Sequence, residues 1–502
     1  MKSLFLDNMK KNILYTVLLF CSSLSVFANF DQNENMQKAY SYIINLEFDL
    51  GREYIEKERI LNPENGLILL NENYIDFLTI TIGEEKNYFE KWEYLKSERL
   101  QKLSKNDENS PYYFYSQAEI NLQWAFSRLK FEEYFTAALE LKSAYSLLKK
   151  NEKFFPEFDL NKKGLGVLYS LIGSIPDDYQ WVVSLIGMEG GVNKGLTELD
   201  YLIEKSKTDS ILEIYNTELL FLSTTLHLQL TENKNKFQSL LDEIDEDYKS
   251  HLLLTFAAAR LSQKLGANKN TILILENKPT SDSYFQFSYL DYLLGMSKLY
   301  ELDKTSKEYF VKFLDETKGD NYVKSAYQKM AWISILLEEN NHKNYYKKVI
   351  LEGTTFLESD KQALKEAKKG ITPHPSLLKS RLLFDGGYYE KAEEILILLN
   401  PEKFKNTINV IEYWYRLGRV SQSLERDDKT IISLFNESYN IGKNSTLYYG
   451  AMSALQIAYV YLNAGNTIKA KEYFEKCLSM SDFDYEDGIK IKAKSALNNI
   501  DN

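Results

Sequence analysis

The chain has 502 residues, 44% hydrophobic and 26% charged, a balance that excludes a disordered chain and fits several ordinary domains or one extended array. Only 8 Pro and 22 Gly occur, too few for the turns of a sheet-rich fold, so helices are expected. The formal charge of −11 repels phosphate backbones and argues against a nucleic-acid partner.

Residues 1–28 read as a signal peptide cleaved after Ala28. Lys10 and Lys11 form a positive start, Ile13 to Phe20 is an uncharged apolar run, and Val26-Phe27-Ala28 offers a cleavage site. The run is shorter than the ~20 residues a bilayer span needs. Phe20 stands before Cys21 where a lipid-attachment signal has a small residue, so lipid anchoring is the weaker reading. The segment carries Lys2, Lys10 and Lys11 against one acid, Asp7, so its removal leaves a more acidic chain. Cys477 would then be the sole cysteine, and no internal disulfide could form. The expected location is outside the cytoplasm, in a bacterial periplasm or envelope, as the Lys/Asn/Ile/Tyr-rich composition also suggests. No membrane span is expected in the mature chain.

From about Asn33 onward, apolar residues recur at three- and four-residue spacing, as in 117–129, 132–148, 216–230 and 249–265. Some two dozen helices are expected. Ser110-Pro111 predicts a helix start, with the hydroxyl as cap and the proline in the first turn. Gly266, Gly319, Gly353 and Gly370 fall where helices should stop. Thr271–Leu275 (TILIL) is the best strand candidate, but it has no neighbour to pair with and reads as a short buried helix.

Three related stretches close the chain. The first is Gly387-Tyr388-Tyr389-Glu390-Lys391-Ala392 with Leu396 and Leu399. The second has Trp414, Leu417 and Gly418, with Leu434 later. The third has Ile457, Ala458 and Tyr461, then Gly465, Ala470, Phe474 and Cys477. These residues resemble tetratricopeptide repeats. Ala392, Thr430 and Ala470 stand 38 and 40 residues apart, wider than the usual ~34. Small residues at these slots let two antiparallel helices approach, and large ones fill the space between neighbours. Trp414, Leu417, Tyr461, Ala470, Phe474 and Cys477 are the expected core.

Upstream, Gly164-Leu165-Gly166 precedes Pro176, Gly187-Met188-x-Gly190 and Gly195-Leu196-x-x-Leu199. Phe313-Leu314, Lys318-Gly319, Asn321-Tyr322, Lys324-x-Ala326, Asp360-Lys361-x-Ala363 and Leu382 to Tyr389 follow. In this order the segments resemble the tetratricopeptide-repeat-39 family and its inclusion-body-clearance relatives, over about residues 36–500. The resemblance implies an all-α, right-handed superhelical solenoid of antiparallel helix pairs, without enzymatic activity and with a poorly defined ligand. A secreted bacterial-type member is implied, since the intracellular relatives lack a signal peptide. The expected layout is 29–160 for N-terminal helical repeats, 161–370 for central repeats with the Gly/Pro-marked segment, and 371–502 for the C-terminal repeats.

Nothing in the chain assembles into a catalytic or metal-binding pattern. His227, His251, His342 and His374 are scattered. Asp242–Asp247 lacks the glycine turn and spacing of a calcium loop and reads as a solvated helix end. Gly187–Gly195 lacks the G-K-[ST] ending of a phosphate loop. Carboxylate pairs are as common as 72 acidic residues make them. No cofactor, metal or catalytic residue is expected. If the first helix of each pair lines a groove, Arg381 and Asp385, then Tyr415, Arg419 and Gln422, then Tyr459 and Asn463 face a partner; the bland alternative is that they only cover the inner helix surface. The expected function is an exported protein-protein interaction scaffold or adaptor. The alternative is a binder of a small ligand, glycan or lipid in a pocket between helices. Oligomeric state is open at this level.

Overall fold

A computed structural model describes residues 30–175 and 187–501. The cleavage segment 1–28 and Pro176 lie outside the described residues. Among those residues there are 25 α-helices, two short 3-10 turns and no strand. The architecture is a solenoid of antiparallel helix pairs. The chain divides into two compact units, one reaching to Ala257 and including 278–286, the other made of 258–277 and 287–502.

The first unit contains α1 (Glu34–Ile44), α2 (Phe48–Leu61), α3 (Leu67–Gly83), α4 (Lys86–Leu103), α5 (Pro111–Lys130), α6 (Tyr134–Phe154), α7 (Asn161–Gly173), α8 (Val192–Ser206), α9 (Ser210–Glu213), α10 (Asn216–Leu230) and α11 (Lys234–Ile244). Local chemistry sets several starts. Asn33 accepts from the Met36 amide, and Ser110 accepts from the Tyr112 amide with Pro111 in the first turn. The acidic run 242–247 ends α11 and enters a 3-10 turn at Asp245–Lys249.

Helices α1 with α2, α5 with α6, and α7 with α8 are the closest neighbours here. The α7–α8 contact explains the glycine motif. A methyl group on Gly195 would lie 2.2 Å from the Gly166 carbonyl oxygen, and one on Gly166 would lie 2.9 Å from that of Gly195. The two backbones touch, and only glycine leaves room. Before α8, the Gly191 amide donates to the Tyr169 carbonyl at 2.9 Å. These glycines are spent on helix packing.

At the centre of this unit lies a charge. Lys163 of α7 is 1% exposed. Its Nζ donates to Tyr74 Oη at 2.7 Å, Glu119 Oε2 at 2.8 Å and Glu218 Oε2 at 2.9 Å. Tyr40 Oη also donates to Glu218. One ammonium therefore ties α3, α5, α7 and α10 together, and Glu218 extends the group to α1 through Tyr40.

The second unit starts within α12 (Leu252–Lys264) and continues with α13 (Asn268–Glu276), α14 (Tyr289–Tyr300), α15 (Ser306–Glu316), α16 (Val323–Leu336), α17 (His342–Leu351), α18 (Glu358–Lys369), α19 (Pro375–Asp385), α20 (Tyr389–Ile397), α21 (Thr407–Ser423), α22 (Asp428–Gly442), α23 (Tyr449–Asn463), α24 (Thr467–Ser479) and α25 (Glu486–Asp501). Residues 271–275 sit in α13, a helix as expected. Gly266, Gly353 and Gly370 take positive φ of 77°, 72° and 63° where helices end.

Pairs α14–α15, α16–α17, α19–α20, α21–α22 and α23–α24 stack in series, and α25 covers the last pair. Helix α18 has no partner of its own and rests on α16 and α17. Ala470, Phe474 and Cys477 are fully buried, as expected. Burial pushes the Cys477 thiol up to about 11, so it stays protonated and inert. Trp414, Leu417 and Tyr461 differ from expectation, being only half-buried. At this level of α21 the buried rings are Tyr413 and Tyr415, at 5% each. Trp414 lies between them in sequence and packs its edge on Tyr413, ring centres 5.0 Å apart. Gly418 of the same helix meets the Phe435 ring, as the small residue of its pair is expected to. A methyl group on that glycine would lie 2.8 Å from the ring.

Candidate functional site

A cavity of about 450 Å³ opens within the second unit, in the range of small-ligand pockets, ~300–1,000 Å³. Helical spacing builds its walls. On α16, Ser325, Gln328, Lys329 and Trp332 fall on one face, and on α18 Glu358, Gln362, Lys365, Glu366 and Lys369 do the same. Tyr292 and Tyr300 come from α14, Arg381 and Asp385 from α19, and Glu412 from α21. Tyr448 and Tyr449 at the start of α23, and Asp484 and Tyr485 just before α25, complete the lining.

The polar groups are interlocked. Glu366 accepts from Trp332 Nε1 at 2.7 Å, Tyr346 Oη at 2.6 Å and Gln328 Nε2 at 2.8 Å. Asp360 accepts the amides of Tyr322 at 2.8 Å and Ser325 at 2.9 Å, anchoring α18 to the start of α16. Burial pushes the Asp360 carboxyl up to about 6, against the pull of those two amides. At the other end Asp484 meets both Lys365 and Lys369, the latter at 2.8 Å. Burial opposes the Asp484 charge, yet the two ammonium groups hold it below the usual carboxylate range. Helix α18 is thus fastened across the cavity between α16 and the turn before α25.

Two cations face Trp332. Lys329 Nζ lies 3.8 Å from its ring centre and the Arg381 guanidinium 4.8 Å. The Lys329 amine is pushed down to about 7, first by burial and then by Arg381.

Of the seven residues expected to face a partner, four converge. Arg381 and Asp385 line the large cavity, and with Tyr415 and Arg419 they line an adjoining one of about 180 Å³. Arg419 Nη1 donates to Tyr415 Oη at 3.2 Å, and its guanidinium covers the Phe384 ring at 5.1 Å. Gln422, Tyr459 and Asn463 line neither cavity. Gln422 is half-buried near the end of α21, and Asn463 is exposed at the end of α23. Tyr459 packs edge-on to Phe474, ring centres 5.3 Å apart, so it serves the core of its own pair.

Sequence reasoning missed Lys329, Trp332, Glu366, Tyr448 and Asp484. Lys329 and Trp332 carry a readable signal, since they stand three residues apart on a strongly apolar helix. Glu366 and Asp484 carry none, because nothing local says that α18 crosses to the turn before α25. Among the described residues no three His, Cys, Asp or Glu side chains gather as metal ligands.

No protein-family profile matches the chain, and no curated protein matches it. Solved structures to which it is similar include three at low identity. The APC/C hetero-tetramer Cut9-Hcn1 has 11% identity and a TM-score of 0.24, over 91% of this chain and 95% of that one. Yeast Tom70 has 12% identity and a TM-score of 0.23, over 93% and 95%. Naa15/Naa10 bound to HypK-THB has 13% identity and a TM-score of 0.22, over 93% and 66%. Superpositions this loose carry no argument about function.

Proposed function

We propose that this protein is a non-enzymatic, exported scaffold that holds a protein or peptide partner on the inner helices of its second unit. It is a secreted tetratricopeptide-type repeat protein of the kind its glycine and repeat segments resemble, acting in the periplasm or envelope once residues 1–28 are removed. One observation carries the binding reading: Arg381, Asp385, Tyr415 and Arg419 gather from α19 and α21 around one opening. Arginine and tyrosine are the side chains that anchor interfaces, because each combines a wide apolar face with directed hydrogen bonds. The test is capture from the native envelope fraction with the full chain and with Arg419→Glu, checked for equal helicity. The expected outcome is a reproducible set of partners that the variant loses. The same set on both proteins removes this surface from consideration. Export itself is checked by sequencing the N-terminus of the natively produced protein, with Asn29 expected first.

A second reading is favoured by the 450 Å³ cavity, which is large enough for a small organic ligand. Under this reading the inner face holds a small molecule beside, or instead of, a peptide. Saturable binding of a small molecule by the purified chain supports it.

A further inference from the structure

Among the described residues that line the large cavity, Lys329 is a cation without a salt bridge, and Glu366, Asp385 and Asp360 act on it only at longer range. Lys329 is 8% exposed. Its Nζ donates to the neutral Gln328 Oε1 at 2.6 Å and rests on the Trp332 ring. It forms no ion pair among the described residues. The nearest acids are held by other donors, and Glu358, Lys365 and Lys369 of α18 line the same cavity with Asp484. Glu366 holds three hydrogen bonds and Asp360 two, as described above. Asp385 lies 3.7 Å from Arg381 Nε, and Glu412 of α21 holds Arg416. From α14 and α23 the titratable groups that line the cavity are tyrosines. A buried ammonium without an anion is costly, and Arg381 adds a second positive charge beside it.

We propose that the cavity binds a single carboxylate carried on an apolar or aromatic body, with the carboxylate seated on Lys329 Nζ beside Arg381. A phosphate dianion would bring a second charge against Glu366 and Asp385, which already have donors of their own. The aromatic walls from Trp332, Tyr448, Tyr449 and Tyr485 fit the body of the ligand. A free organic acid and the carboxylate end of a peptide share this chemistry. The inference rests on the small-ligand reading of the cavity.

Proton linkage gives the site a signature. The Lys329 amine titrates at about 7 in the free protein. A bound carboxylate favours its charged form, so binding above that pH takes up a proton. Affinity should fall about tenfold per unit as pH rises above 7, while below that Asp360, pushed up to about 6, titrates beside the site as well.

The test is titration calorimetry on the purified full chain at about pH 6 and about pH 9. The probes are 3-phenylpropionate and N-acetyl-phenylalanine, each with its neutral amide. Each acid is expected to bind about tenfold or more tighter than its amide at the lower pH. It should lose most of that advantage at the higher pH and show proton uptake in buffers of different ionisation enthalpy. Lys329→Met should abolish the preference. Lys329→Arg should keep it and remove the pH dependence. Tighter binding of 3-phenylpropionate points to a free acid and of N-acetyl-phenylalanine to a peptide end; either supports the site. Equal binding of acid and amide, or an unchanged preference in a folded Lys329→Met, overturns the carboxylate assignment while leaving a ligand cavity in place. No binding of any probe overturns both.

Discussion

Phe474 and Trp414 occupy bulky slots of neighbouring repeats, one in the second helix of its pair and the other in the first, and their surroundings differ. Phe474 is fully buried among Ala458, Ala470 and Cys477, and Trp414 is half-buried against Tyr413. A large side chain contributes through the area it removes from water and the cavity its loss leaves. Phe474→Ala should therefore cost about 3–5 kcal/mol. Trp414→Ala should cost clearly less, despite removing more atoms. Denaturant unfolding of the two variants checks the order, and equal or inverted losses would refute it. The repeat pattern marked both residues as core, because it records which slot a residue holds and not how deeply the neighbours cover it there.

At the scale of the element, α18 is the departure from a plain series of pairs. Its polar face looks into the cavity, while Ala363 is fully buried on the other side. Asp360 pins one end to backbone amides of α16, and Asp484 pins the other through two lysines. Asp484→Asn should loosen only the second end, raising amide hydrogen exchange over 364–373 while 323–336 stays protected. The Asp484 carboxyl is depressed, so the fastening is complete above about pH 4 and is lost as pH falls through the lowered value. Unchanged exchange in the variant would show that Asp360 and Ala363 hold the helix alone.

For the molecule as a whole, the stability of the first unit depends on a charge that its sequence does not advertise. Lys163 precedes the Gly164–Gly166 motif, and its partners lie 89, 44 and 55 residues away. Burial works against its ammonium, but Glu119 and Glu218 hold it charged. Breaking such a group by removing one partner leaves buried, uncompensated carboxylates, at a cost of about 3–5 kcal/mol. Lys163→Met should thus lower the unfolding free energy by that order and speed exchange in α1, α3, α5, α7 and α10 together. Replacing it with methionine at no loss would mean that the tyrosine hydroxyls alone satisfy the two acids.

What the sequence by itself determined is local in origin: helices throughout, caps at Ser110 and Gly370, the short helix at 271–275, small residues where helices meet, and the lack of any catalytic spacing. Each follows from neighbours within a few turns of one another, where side-chain period and backbone preference suffice. That Arg381, Asp385, Tyr415 and Arg419 line one cavity follows from the succession of α19 and α21 in the chain. Only the tertiary structure decided the rest. The crossing of α18, the pairing of Asp484 with Lys365 and Lys369, the unpaired Lys329 on Trp332 and the five-helix tie at Lys163 all join residues distant in the chain. Their energies depend on burial and on which charges end up facing each other, and a linear pattern records neither.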